Sequence, residues 1–158
     1  MIIEILMVIM VIIYMMGIPI PMYSFQPLNY LLRTFFHANS IHIIMNMITL
    51  WQLRQMNQVM SETELTQMII FLWIFSSLIL YSINTVFPST KTITIGFSGV
   101  LMGMILVFEY MISNKNLFNV FSKLLILLVP QLLVPHISFI GHVSGLISGI
   151  LWLLLFPK

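Results

Sequence analysis

Six apolar runs, near residues 1–20, 41–56, 65–86, 98–113, 117–134 and 137–156, the second and fourth of them short, bound what this chain can fold into. A helix needs roughly 20 mainly apolar residues to cross a bilayer. The pattern therefore predicts an all-α polytopic membrane protein, a single six-transmembrane-helix bundle over residues 1–158 with no room for a soluble domain. A water-soluble fold is excluded by the shortage of charge. The chain is 60% hydrophobic and 6% charged, against about a quarter charged in soluble domains, so it cannot cover a surface facing water.

The breaks between runs use ordinary punctuation. Pro19 and Pro21 close the first run, and Ser61-Glu62-Thr63-Glu64 separates the second from the third. Pro88-Ser89-Thr90-Lys91, Ser113-Asn114-Lys115-Asn116 and Pro135-His136 precede the remaining three. The first run lacks a basic leader and a small-x-small cleavage site, so it reads as a retained helix rather than a signal peptide. There is no cysteine, which excludes disulfides and thiolate-bound metals. A net charge of +2 gives no footprint for nucleic acid. With six spans, Arg54, Lys115, Lys123 and Lys158 share the side of the termini, against Arg33 and Lys91 opposite, which places both termini on the inner side.

Two polar residues then need a reason to sit in hydrocarbon. Ser98, in Gly96-Phe97-Ser98-Gly99, heads the fourth run, and His142, after Gly141, lies near the head of the sixth. A buried hydroxyl needs a hydrogen-bond partner, and an imidazole is costlier still. A Ser–His pair satisfies both and is the minimum apparatus for acyl transfer. Gly96 and Gly99 allow a tight turn and close approach of another backbone. A helix N-terminus behind them offers free N–H groups to a developing oxyanion. Gly-x-Ser-Gly alone also fits a plain helix start.

Gly141, Gly145 and Gly149 recur every fourth residue, as do Gly99 and Gly103. Packing these two faces would bring the helix tops together. As mere packing motifs they would leave His142 unexplained. On the second run His42 and Asn46 are four apart, so they stack on one helical face. Both can donate hydrogen bonds, as a tetrahedral oxyanion requires, or could simply help a helix start near the interface. His37 falls in the entry to that helix and orders it.

Acids are scarce. The chain has no Asp and only Glu4, Glu62, Glu64 and Glu109. Glu109 lies eleven residues below Ser98 on the same helix, roughly 16 Å away. Glu62 and Glu64 belong to a loop on the inner face, opposite the serine, and Glu4, which spacing alone does not exclude, belongs near that same face. A nucleophilic Ser98 would then work with His142 alone, as a dyad rather than a triad.

Taken together, these elements resemble the rhomboid family of intramembrane serine proteases. Its pattern is His-x4-His-x3-Asn on the second core helix, Gly-x-Ser-Gly opening the fourth, and a His followed by Gly-x3-Gly on the sixth. Here it reads His37/His42/Asn46, Gly96-Phe97-Ser98-Gly99, and His142 with Gly145 and Gly149. The resemblance implies Ser98 as nucleophile and His142 as general base. It also implies an oxyanion hole of His42, Asn46 and the Ser98 N–H, supported by Gly96, Gly99, Gly145 and Gly149. The implied partners are transmembrane protein substrates and the lipid bilayer, with no cofactor or metal. Two features depart from the family. Met102 stands where many relatives carry an aromatic, and only Arg33 could be a remnant of their Trp-Arg signature. Two other readings are an inactive relative that binds membrane-protein clients, and a metal carrier built on His37, His42, His136 and His142.

Overall fold

The computed structural model describes residues 1–18, 26–90, 94–114, 116–128 and 138–157. Pro19, Pro21, Lys91, Lys115, Pro135, His136 and Lys158 lie outside the described residues. Seven α-helices appear among those described: α1 (Ile2–Met15), α2 (Pro27–Arg33), α3 (Ser40–Leu53), α4 (Glu62–Val86), α5 (Ser98–Ile112), α6 (Leu117–Leu128) and α7 (Phe139–Leu155). The architecture is all-helical. Six helices fall in order on the six apolar runs, and α2 is additional.

Helix ends follow local chemistry. Gly17, at φ +60°, ends α1 in the left-handed conformation that glycine adopts freely, so the helix stops before the prolines expected to close it. Asn39 caps α3 by accepting the His42 backbone N–H at 2.9 Å. A capping box opens α4: Ser61 Oγ accepts from the Glu64 N–H, and Glu64 Oε2 accepts from the Ser61 N–H. Phe87, ahead of Pro88, leaves helical backbone and closes it. Asn114, at φ 50°, ends α5.

The helices are unequal. Among the described residues only α4, at 25 residues, is long and apolar enough by itself to cross a bilayer. The apolar helices α1, α5 and α7 have 14, 15 and 17 residues; α5 is short like its run, while α1 and α7 are shorter than runs 1–20 and 137–156. The end of α1 is set by Gly17, and α5 is bounded by the Gly96 turn and Asn114. The 14 residues of α3 are extended by a 3-10 segment, Arg54–Gln58.

α5 and α7 pair most closely, α4 lies across both, and α2 runs along α4. α1 packs on α3, which touches α5; α6 leans on α5. Leu50, Leu65, Met68, Leu72, Val100, Met104 and Val107 form the shared core. The outward faces stay apolar, as with Val8, Ile12 and Met15 on α1, Ile41, Met45 and Ile48 on α3, and Phe118, Leu125 and Ile126 on α6. Such a continuous greasy exterior suits lipid rather than water.

Polar groups tie α2 to α4. Trp73 Nε1 donates to the Leu31 carbonyl at 2.9 Å, Ser77 Oγ to the Tyr30 carbonyl at 3.4 Å, and Asn84 Nδ2 to the Tyr30 hydroxyl at 3.1 Å. Arg33, expected as a loop charge, is instead 1% exposed, with its guanidinium 5.3 Å from the Tyr30 ring centre.

Candidate active site

The glycine faces interlock. A Cβ built on Gly145 would overlap the Gly99 carbonyl oxygen, one on Gly103 would lie 2.8 Å from the Gly145 carbonyl, and one on Gly149 3.0 Å from the Gly103 carbonyl. A Cβ on Gly99 would meet the Gly141 carbonyl at 3.0 Å. Backbone therefore meets backbone along the upper halves of α5 and α7. Ser144 and Ser148, both fully buried, complete the small-residue face and return their hydroxyls to the Ile140 and Gly145 carbonyls. Ser98 is the residue before Gly99 and His142 the residue after Gly141, so this contact draws the start of α5 to the first turn of α7. Ser98 is half-buried and His142 buried.

Gly96 turns the chain into α5 at φ +104°, and its N–H donates to the Arg33 carbonyl at 3.0 Å. A Cβ there would lie 2.6 Å from both Cε1 and Nε2 of His42, and 3.4 Å from Asn46 Nδ2. The backbone conformation calls for glycine, and any side chain there would also displace the His42 imidazole. α5 begins without a side-chain cap. His42 and Asn46 therefore border the Ser98 turn.

Asn46 Nδ2 donates to His37 Nε2 at 2.8 Å, and the His37 and His42 rings meet edge to face with centroids 5.0 Å apart. His37 thus ties the entry of α3 to Asn46 inside the helix. Burial, with the neighbouring His42 adding to it, pushes the His37 imidazole down to about 4. Met102 is buried.

The four acids are engaged elsewhere. Glu4 and Glu62 both reach the amino group of Met1, at 2.7 and 3.1 Å. Glu64 serves the capping box, and Glu109 pairs with Lys123 of α6. Among the described residues no three His, Asp or Glu side chains converge as a metal site would require.

Residues 24–158 match the rhomboid domain. The chain belongs to the rhomboid family. It is 41% identical over 130 residues to a rhomboid protein of Acanthamoeba polyphaga mimivirus, covering 82% of this chain and 75% of the viral one. It is 28% identical over 140 and 144 residues to rhomboid-like proteins 14 (mitochondrial) and 15 of Arabidopsis thaliana, covering 77% and 79% of this chain. It spans 41% and 36% of those plant proteins. No solved structure matches it at a significant level. Rhomboids are membrane proteins, in keeping with the apolar exterior of this bundle.

Sequence reasoning passes over three residues at this rhomboid's site. The Arg33 carbonyl anchors Gly96. Ser138 Oγ caps α7 by accepting the Gly141 N–H at 3.2 Å, and Thr94 Oγ1 is 2.7 Å from Ser138 Oγ. A serine three residues before Gly141 is a legible cap signal; a backbone carbonyl and an isolated threonine carry none.

Proposed function

We propose that this rhomboid is an intramembrane serine endopeptidase that hydrolyses peptide bonds in or near transmembrane segments of membrane-protein substrates, its single domain crossing the bilayer six times. Ser98 is the nucleophile and His142 its general base. The observation that carries the reading is the backbone interlock of Gly99 with Gly141 and Gly145, adjacent to both residues.

His142 accepts the Ser98 proton as Oγ attacks the scissile carbonyl carbon, and it returns that proton to the departing amine. Water then repeats the sequence on the acyl-enzyme. The Ser98 N–H, His42 and Asn46 stabilise the negative oxygen. The bond from Asn46 to His37 leaves the second N–H of its carboxamide for this purpose. With each glutamate engaged away from the two residues, the pair acts without a third member.

Cleavage of a transmembrane substrate in proteoliposomes tests the reading. Ser98→Ala and His142→Ala should each abolish turnover. Undiminished cleavage by either variant overturns the proposal, and binding without cleavage by the parent chain favours a client-binding rhomboid.

A further inference from the structure

The glycine interlock holds α5 from Gly99 downward and α7 from Gly141 downward, with Ser98 just above it on α5 and His142 in its top turn on α7. A hydrogen bond joins the residues that lead into the two helices, with Thr94 Oγ1 2.7 Å from Ser138 Oγ. The Ser138 hydroxyl also accepts the Gly141 N–H at 3.2 Å, one residue before His142. The Thr94 methyl closes the same corner, since a Cβ on Gly141 would lie 2.8 Å from Thr94 Cγ2. Four residues after Thr94 comes Ser98.

From this we infer that Thr94 and Ser138 form a clamp that sets the separation and rotation of Ser98 and His142, making them positioning residues for the reaction. The inference rests on the serine-protease reading above. Ser138 is suited to the task because one hydroxyl does two things: it ends the α7 backbone at a defined residue and ties that end to the strand of chain entering α5. Loss of the tie leaves both helices folded, held by their glycine faces, but frees the turn before Ser98 to drift from His142. A proton transfer is sensitive to such drift, whereas substrate docking along the helices is not.

The test is the rate at which a fluorophosphonate probe modifies Ser98 in the purified chain, alongside kcat and KM for a transmembrane substrate. Thr94→Val keeps the methyl and removes the hydroxyl; it should lower the labelling rate and kcat on the order of tenfold and leave KM in place. Thr94→Ser restores the hydroxyl and should return the rate to within about twofold of the parent. Ser138→Ala should match Thr94→Val, and the double variant should be no slower than the slower single one, as for two halves of one contact. Should the valine fail to pack, Thr94→Ala set against Thr94→Ser isolates the hydroxyl, since both lack the methyl. Equal labelling of parent and Thr94→Val overturns the clamp while leaving the protease reading intact. A parent chain labelled no more than Ser98→Ala overturns both.

Discussion

The carbonyl oxygen of Gly99 occupies the place where a side chain on Gly145 would begin. An alanine there must push α5 and α7 apart, because the obstacle is backbone and cannot rotate away. Gly145→Ala should cost roughly 3 kcal/mol or more, at or above the usual range for overpacking. A large fall in melting temperature in detergent checks this, and a stable Gly145→Ala variant contradicts the interlock. Gly17→Ala, which meets nothing within 4 Å, is the control, with only the smaller strain of its positive φ.

Asn46 separates chemistry from binding. Replacing it with Ala removes one oxyanion donor and should lower kcat on the order of 10²–10³-fold. KM should change little, because the contact strengthens only as the oxygen becomes charged. Steady-state kinetics in proteoliposomes decide this, and a rise in KM at constant kcat would assign Asn46 to substrate binding instead.

Glu109 is the acid closest in sequence to Ser98, yet it pairs with Lys123 at the α5–α6 contact. Glu109→Gln should therefore retain cleavage and shift stability by about 1 kcal/mol, as for a pair whose lysine end is half exposed and whose carboxylate is partly covered. Loss of turnover in a folded Glu109→Gln variant would bring a carboxylate back into the mechanism.

His37 lies between α2 and α3 and takes a proton far less readily when folded, near pH 4, than its ordinary 6.5. The unfolded chain therefore binds the proton first, and acid favours unfolding. Stability should be level above pH 6.5 and fall progressively between 6.5 and 4. Protonated His37 could no longer accept the Asn46 amide, which adds to the loss. Thermal melts of parent and His37→Gln across this range isolate its share from that of His42, and superimposable pH profiles would refute it.

The glycine faces and the helix order are legible because each reflects a property of the side chains themselves: runs too greasy for water, and small residues at a repeat matching the helix. α2 escapes notice. Seven residues hold too few turns to display a period, and the supports of α2 are distant, with Trp73 and Asn84 reaching it from α4. The end of α1 is misplaced for a related reason. Two prolines suggest a stop at Pro19, but Gly17 has already turned the chain. Arg33 reads as a loop cation and proves buried, and its contribution to the site is a main-chain oxygen that any residue could supply. Thr94 acquires meaning only once Ser138, forty-four residues away, is beside it.

The dual demand on Gly96 has a consequence for how such a chain can diversify. Its φ of +104° and the imidazole pressed against it admit a single amino acid, so no exchange at that position can be compensated by relaxing only one of the two restraints. Drift must accumulate on the lipid-facing sides of α1, α3 and α6, where one branched or sulfur-bearing side chain serves as well as another. A saturation library should accordingly show intolerant codons at the turn and along the glycine interlock, with permissive ones on the lipid-facing sides.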